Sequence, residues 1–339
     1  MTSPTTGFQP GEILTRKEIH PVLGGSGYAG ICPAVEKRNV LLFSDEAVGR
    51  RYGYRDGWLA EDDEIGPIFT YTGTGKRGHQ TLDGGNAAIL NHAKKNRTLH
   101  LFSAEGKIEG TDTKKHRYLG AFKLDEHKPY DMGQAKDEDG QDRFVIVFRL
   151  RPIGLYIRRA SDTLRPATVT RARFQRAAGK LARAYRRKRR LEQPQTEISR
   201  VEEIRDNLAD SFEERETAAG MDIGQLELSM RDSTERLTLE IFNSTTQTGY
   251  LTTGSSASGS ITDALAQLLY ARSHLRSLTD KQPLQLMILV PELPREDIRN
   301  LLAEHEIGIV YRNGSGDFTE FAVSDTTRGI RCAGCPALA

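Results

Sequence analysis

A glycine-rich segment that follows an aromatic strand is the part of the chain best suited to binding chemistry. Residues 68–72 read Ile-Phe-Thr-Tyr-Thr, and glycines follow at Gly73, Gly75 and Gly78. Glycine lets the backbone approach a ligand closely and adopt positive φ angles. Lys76 and Arg77 lie among these glycines, where cationic side chains can meet phosphates. The segment is therefore a candidate binding loop for a phosphate-bearing ligand.

Separate blocks of sequence accompany this segment in a fixed order. They are residues 20–31 (HPVLGGSGYAGI), 52–58 (YGYRDGW), 71–86 (YTGTGKRGHQTLDGGN), 99–102 (LHLF) and 117–122 (RYLGAF). Together they resemble SRA (SET-and-RING-associated) domains, in particular the bacterial subtype of McrA-like, modification-dependent restriction endonucleases. The resemblance covers about residues 12–152. It implies an α+β, PUA-like β-barrel that binds DNA and pulls a modified cytosine out of the double helix.

The resemblance also implies which residues form the base pocket. An extruded base needs an aromatic face to stack on and polar groups for its Watson–Crick edge. Tyr71 would supply the face. Asp62, nine positions earlier, would accept from the exocyclic amine of cytosine, and Thr72 or nearby backbone would complete the edge. Trp58, from the 52–58 block, is assigned to the same pocket.

Two alternatives to this pocket stay open. Glu61 and Asp63 flank Asp62, so the assigned carboxylate can be out of register by one position. The other alternative is a glycine-rich hairpin turn with Tyr71 in the barrel core. The sequence does not separate 5-methylcytosine from 5-hydroxymethylcytosine, because that choice depends on pocket shape.

Residues around the glycines are predicted to contact the DNA backbone. They are Lys76, Arg77, His79, Gln80 and Asn86. The family usually has Gly-Asp-Gln where this chain has Gly-His-Gln. His79 must then support the turn differently or, when protonated, contact a phosphate.

A strongly basic segment runs over residues 170–192. It holds ten arginines and lysines and no acid before its last residue. Apolar residues recur at three- and four-residue steps, which predicts a helix with one apolar stripe. Beside a DNA-binding domain, such a helix is expected to follow phosphates through Arg186, Arg187 and Arg189. The alternative is a solvated linker.

The sequence after this segment alternates between helical and strand patterns. Helices are predicted at 196–215, 261–272 and 295–304, and strands at 237–243, 284–290 and 308–312. This order predicts an α/β domain. The pieces at 264–275, 289–294 and 307–312 resemble the C-terminal lobe of PD-(D/E)xK nucleases, over about residues 197–320.

The catalytic pattern of that nuclease family is incomplete. Active members carry E-x-K on one strand face and an upstream aspartate, which together hold Mg²⁺. Glu240 stands at the position of the glutamate, but Phe242 replaces the lysine and is expected on the same face. Asp222 and Asp232 are the candidate upstream ligands. The pattern favours a degenerate nuclease that serves dimerisation, DNA clamping or partner contact. The alternative is an active, Mg²⁺-dependent endonuclease in which Arg236 replaces the lysine.

Composition sets the broad class. Charged residues make up 28% and hydrophobic residues 37% of the 339 residues, and there are three cysteines. No run of about 18 apolar residues occurs, and no secretory signal is recognised, so a cytoplasmic, nucleoid-associated protein is expected. Cys332 and Cys335 lack two further ligands for a zinc site. No metal site is therefore predicted.

The predicted organisation has four parts. They are an SRA-like domain at 12–155, a basic helical linker at 165–195, a PD-(D/E)xK-like domain at 196–322 and a flexible tail at 323–339. The predicted partner is double-stranded DNA with a modified cytosine, and a homodimer through the C-terminal domain is a further option. Binding needs no cofactor, and Mg²⁺ is required only if the second domain is active. The role expected is restriction, defence or the reading of epigenetic marks.

Overall fold

The computed structural model describes residues 7–25, 27, 29–176, 178–191, 197–275 and 284–321. Contacts divide the chain into two compact units, Met1–Pro166 and Ala167–Ala339. The predicted tail at 323–339, with both of its cysteines, lies outside the described residues. Within the described ranges, no helix is long and apolar enough to cross a membrane.

The N-terminal unit is built mainly of strands. Its strands are β1 (Ile13–Thr15), β2 (Ile31–Ala34), β3 (Asn39–Ser44), β4 (Gly57–Trp58), β5 (Phe69–Thr72), β6 (Thr98–Lys107), β7 (Lys114–Leu124), β8 (Tyr130–Lys136) and β9 (Asp142–Tyr156). Its α-helices are α1 (Arg16–Leu23), α2 (Glu46–Gly49) and α3 (Gly84–Leu90).

The nine strands form one mixed sheet. The order is β2-β3-β6-β7-β9-β5-β4, with β1 on β7 and β8 on β9. All pairs are antiparallel except β3 with β6. The sequence prediction of a sheet-rich α+β domain is confirmed. Strands β8 and β9 form a hairpin, and Asp137 closes its tight turn by accepting from the backbone N–H of Asp139 and Gln141.

The C-terminal unit alternates strands and helices. Its strands are β10 (Arg171–Arg176), β11 (Ile223–Ser229), β12 (Arg236–Asn243), β13 (Thr248–Thr252), β14 (Gln285–Val290), β15 (Ile307–Arg312) and β16 (Phe318–Phe321). Its helices are α4 (Ala178–Leu191), α5 (Glu197–Ala218), α6 (Ser258–Leu275) and α7 (Glu296–Glu304).

The seven strands of this unit lie in chain order in one sheet, with β13, β14 and β15 parallel and the others antiparallel. Side chains of β14 alternate between two cores, as strand geometry requires. Leu286 and Ile288 pack with α6 and α7, whereas Met287 and Leu289 pack with α5. The helices therefore cover both faces. The α/β pattern expected from the sequence is present.

The segment interpreted as a basic linker belongs to the C-terminal unit. Residues 171–176 form an edge strand of its sheet, and 178–191 form a packed helix. The segment packs in this way because apolar residues line one of its sides. Phe174 lies against Phe242, with ring centroids 6.0 Å apart, and Ala178 is fully buried. Burial of this stripe holds the segment against the sheet.

Candidate functional site

A half-buried carboxylate, that of Asp56, lies beside the signature strand β5. The backbone N–H of Thr72 donates to Asp56 Oδ1 at 2.8 Å, and the hydroxyl of Ser44 donates to Oδ2 at 3.3 Å. Burial raises the pKa of Asp56 to about 6, although both hydrogen bonds act in the opposite direction. A carboxyl group with such a pKa, held by neutral donors only, is typical of a functional site rather than of a surface ion pair.

Tyr71 adjoins this carboxylate. Its hydroxyl donates to the carbonyl of Gly30 at 2.9 Å, and only 3% of the residue is exposed. Burial, followed by the charge of Asp56, raises the pKa of Tyr71 well above its ordinary value. The backbone of Thr72 thus joins the carboxylate of Asp56 to the strand that carries Tyr71. Because so little of the ring is exposed, a base that stacks on it must displace residues that cover it.

Arg16 holds the glycine-rich segment that contacts Tyr71. Its guanidinium donates to the carbonyls of Gly27 and Ala29, each at 3.0 Å, and lies 3.6 Å above the ring of Phe43. Sequence reasoning missed Arg16, because its partners are carbonyl oxygens whose position no side-chain pattern records.

Gln80 and Asn86 hold the loop after β5 from within. Gln80 Nε2 donates to the carbonyl of Gly73 at 2.7 Å, and its Oε1 accepts from the N–H of Ile146 at 2.9 Å. Asn86 bonds both the N–H and the carbonyl of Thr74, at 2.8 and 2.9 Å. Both side chains are 2% exposed. They were predicted to contact DNA, but their polar groups serve the loop backbone instead.

Gly73 is required by this arrangement. A Cβ at this position would lie 2.6 Å from Asn86 Oδ1 and 3.0 Å from Gln80 Oε1. Both distances are shorter than van der Waals contact allows, so a side chain here would push the two amides away. The close approach explains the glycine of the signature better than backbone flexibility does.

Arg143 and Tyr54 support the same loop further along. Arg143 Nη1 donates to the carbonyl of Gly75 and Nη2 to the hydroxyl of Tyr54, both at 2.6 Å. Arg143 is 2% exposed. These two residues were not recognised in the sequence. Tyr54 lies in the 52–58 block, which is the only signal that could have indicated it.

The cationic residues of the loop remain at its surface. Lys76 and Arg77 are exposed, and Arg77 Nε lies 3.2 Å from Asp139. His79 is exposed as a residue, and its Nδ1 accepts from the N–H of Phe144 at 3.1 Å. Next to it, Asp137 accepts from the N–H of Gly78 at 3.4 Å. His79 thus supports the turn through Phe144.

Asp62 and Trp58 make contacts other than with Asp56. Asp62 is about half exposed and pairs with Arg158 at 2.7 Å. Its neighbour Asp63 pairs with Arg151, which lowers the pKa of Asp63 to about 2. Trp58 is fully buried against Phe69, with ring centroids 5.5 Å apart. The residue that contacts Thr72 is therefore Asp56, and Trp58 belongs to the core.

The arginines of α4 are paired with acids of their own unit. Arg183 contacts Asp210 and Glu213, and Arg187 lies 2.6 Å from Asp210. Arg186 lies 2.9 Å from Asp206. These residues were predicted to follow phosphates, but carboxylates of α5 already occupy the guanidinium groups of Arg186 and Arg187. The side chain of Arg189 lies outside the part of the chain that the structure describes.

The three candidate catalytic carboxylates are also engaged, and they do not form one site. Arg186 donates through both Nη atoms to Glu240 at 3.1 Å. Asp222 pairs with Arg176 at 2.7 Å and accepts from Ser244. Asp232 is exposed, 3.2 Å from Arg231. No group of three or more potential ligands that could hold a metal ion occurs among the described residues. The residues present do not fit Mg²⁺.

Phe242 does not enter this region. Strand β11 advances two residues from Gly224 to Leu226, whereas the paired stretch of β12, Leu239 to Phe242, is three residues long. Strand β12 therefore carries a β-bulge, with one extra residue near Glu240. Leu239 and Phe242 consequently share the core with α6 and α7, while Glu240 contacts Arg186 of α4. The prediction that Glu240 and Phe242 share a face was wrong, because this bulge interrupts the alternation.

Comparison with known proteins agrees with the N-terminal fold. Residues 10–165 match the family model of the ScoMcrA-like SRA domain. The N-terminal unit therefore carries an SRA domain. No curated protein matches the chain.

Solved structures give more distant likenesses. One is the sulfur-binding and SRA domains of ScoMcrA complexed with phosphorothioated DNA, at 22% identity and TM-score 0.32, over 43% of this chain and 40% of that chain. Another is the SUVH5 SRA domain complexed with fully methylated CG DNA, at 18% identity and TM-score 0.31, over 47% and 98% of the two chains. The matched part spans 40% of that ScoMcrA chain, and 28% of the chain in the structure of the restriction endonuclease ScoMcrA.

Proposed function

We propose that the N-terminal unit binds double-stranded DNA containing 5-methylcytosine or a related modified cytosine, and reads the base after flipping it out of the helix. The observation that carries the proposal is the half-buried carboxylate of Asp56 beside Tyr71 and Thr72, inside an SRA domain. The DNA complexes of ScoMcrA and of the SUVH5 SRA domain support the choice of partner.

In this proposal Asp56 is the carboxylate that reads cytosine. One oxygen is held by the N–H of Thr72, which leaves the other to accept from the exocyclic amine of the base in place of Ser44. Tyr71 provides the stacking surface. Asp62, the residue indicated by spacing, is assigned a surface ion pair with Arg158 instead. Extrusion costs a few kcal/mol, which stacking and these hydrogen bonds offset.

The C-terminal unit is assigned a non-catalytic role in restriction, defence or the reading of epigenetic marks. The supporting observation is that Arg186 neutralises Glu240 through two hydrogen bonds, whereas a metal ligand must present a free carboxylate. Self-association through this unit is part of the same proposal.

The decisive experiment measures binding of the full chain to matched duplexes with and without 5-methylcytosine, with Mg²⁺ in parallel samples. Tighter binding to the modified duplex and no cleavage are expected. Equal affinity for the two duplexes would contradict the reader function. Mg²⁺-dependent cleavage that disappears in Glu240→Gln would instead favour an active endonuclease.

A further inference from the structure

The basic segment of the C-terminal unit divides into two parts with different surroundings. On α4 the arginines meet the carboxylates of α5, as described above. On the edge strand β10, Arg171 and Arg173 are exposed, and no acidic group of the described residues lies within 4.0 Å of either. The two arginines therefore keep a charge that the fold itself does not neutralise.

These arginines share a sheet face with a third one. In the register, Arg171 is opposite Ser229, and Ser229 is opposite Arg236. Directly opposed residues point to the same face, and residues two apart on a strand do as well. Arg171 and Arg173 are thus about 6.6 Å apart along β10, at a rise of about 3.3 Å per residue. We call Arg171, Arg173 and Arg236 the arginine face.

One acidic residue lies within the arginine face. Glu227, opposite Arg173, pairs with Arg236 at 2.9 Å and is nearly buried. Three positive charges against one negative charge leave a net charge of +2 on a surface without helix cover at this end. Further along β10 the same face is covered, since Gln175 is 2% exposed.

We infer that the arginine face binds phosphates of duplex DNA. A duplex carries one negative charge per about 1.7 Å of its axis, so closely spaced cations can each meet a phosphate. Guanidinium groups suit this role because they donate two parallel hydrogen bonds to one phosphate. The inference rests on the proposed function for its partner, DNA, but it concerns affinity that does not depend on sequence or modification.

The competing explanation is protection of the sheet edge. Exposed edge strands can pair with other chains, and charged side chains there prevent aggregation. Under that explanation Arg171 and Arg173 would affect self-association and leave DNA binding unchanged. The two explanations therefore predict different measurements on the same variants.

The test compares the salt dependence of binding to unmodified duplex DNA for the full chain and for Arg171→Gln/Arg173→Gln. Each phosphate contact contributes about 0.9 to the slope of log affinity against log salt concentration, so the slope should become shallower by about 2. Arg171→Lys/Arg173→Lys retains the charge and should keep most of the slope. Arg295→Gln/Arg312→Gln removes the same charge from α7 and β15, near the opposite edge of the sheet, and should change the slope by less than about 0.5.

Two outcomes would overturn the inference. One is a wild-type slope in Arg171→Gln/Arg173→Gln, with or without aggregation in sedimentation. The other is an equally shallow slope in the Arg295→Gln/Arg312→Gln control. The ratio of affinities for modified and unmodified duplexes should stay at the wild-type value in every arginine variant. A ratio of one in the wild-type chain would contradict the reader function while leaving the slope comparison intact.

Discussion

Asp56 and Tyr71 occupy opposing positions across β4 and β5. Gly57 pairs with Thr70 and Trp58 with Phe69, and the same register continued by one residue places Asp56 opposite Tyr71. The N–H of Thr72 then donates to the carboxylate at 2.8 Å. Strand pairing, and not separation along the chain, brings the acid to the signature residues.

Asp56→Asn should remove the preference for modified DNA, whereas Asp62→Asn should retain it. Asparagine has a single acceptor oxygen, which Thr72 would occupy, so its NH₂ group would face the amine of the base. Loss of a hydrogen bond to a charged group costs about 1.5–3 kcal/mol, or roughly 10- to 100-fold in the affinity ratio. Titration of both duplexes with both variants measures this. The opposite result, loss with Asp62→Asn alone, would restore the assignment made from spacing.

The preference should also weaken as the pH falls through about 6. Burial raises the pKa of Asp56 to about 6, so acidification protonates the oxygen that accepts from the base. The affinity ratio for the two duplexes, followed through this range, should decline toward the value of Asp56→Asn. The Asp62→Asn variant should show the same decline as wild type. A ratio that is flat across pH 6 would exclude Asp56 as the reading group.

Asp56→Asn is expected to stabilise the N-terminal unit at neutral pH. Folding raises the pKa of Asp56 from 3.8 to about 6, so the protonated carboxyl group stabilises the folded state. This stabilisation is complete below pH 3.8 and is lost as the pH rises through 6. The ionised group therefore costs about 3 kcal/mol at neutral pH. Urea unfolding followed by fluorescence isolates this unit, because Trp58 is the single tryptophan and is fully buried. A lower unfolding free energy for Asp56→Asn would contradict the pKa shift.

Gln80→Ala should destabilise the N-terminal unit more than it changes salt dependence. The substitution leaves the carbonyl of Gly73 and the N–H of Ile146 without partners, at about 1–3 kcal/mol each. Gly73→Ala should act similarly, because its Cβ would lie 2.6 Å from Asn86 Oδ1. Gly49→Ala, whose Cβ would lie 3.4 Å from the Cβ of Tyr54 in the same unit, is the matched control. An unchanged Trp58 unfolding curve together with a shallower salt slope for Gln80→Ala would return this residue to the DNA interface.

Arg186→Ala should destabilise the C-terminal unit rather than weaken DNA binding. It leaves Glu240 without its paired cation, whereas Asp206 keeps Arg190. Breaking such a pair costs about 3 kcal/mol, at the low end of the range because Arg186 is partly exposed. Arg186→Ala with Glu240→Gln should recover part of that loss. Far-ultraviolet circular dichroism in urea provides the measurement. Equal stability of wild type and Arg186→Ala, with weaker DNA binding, would restore the phosphate-contact prediction.

Local patterns predicted the elements but not the contacts between distant residues. Strand β5 and the glycines after it were recognisable from sequence, since aromatic alternation and glycine act within a few residues. Asp56 was not singled out because the family pattern places the carboxylate nine positions before Tyr71, whereas the register of β4 with β5 brings Asp56 next to Thr72. The ion pairs of α4 were not predicted for a related reason, because the acidic partners lie on the following helix, 16 to 30 residues away in sequence.

The pairing of α4 with α5 changes how the chain behaves as an electrolyte. Residues 178–191 read as a polycation, but carboxylates of the next helix take the place that phosphates would occupy on Arg183, Arg186, Arg187 and Arg190. Few counterions remain there for a nucleic acid to release. Helix α4 is therefore a weaker polycation in the folded chain than its run of basic positions suggests, because α5 supplies the opposite charge within the same unit.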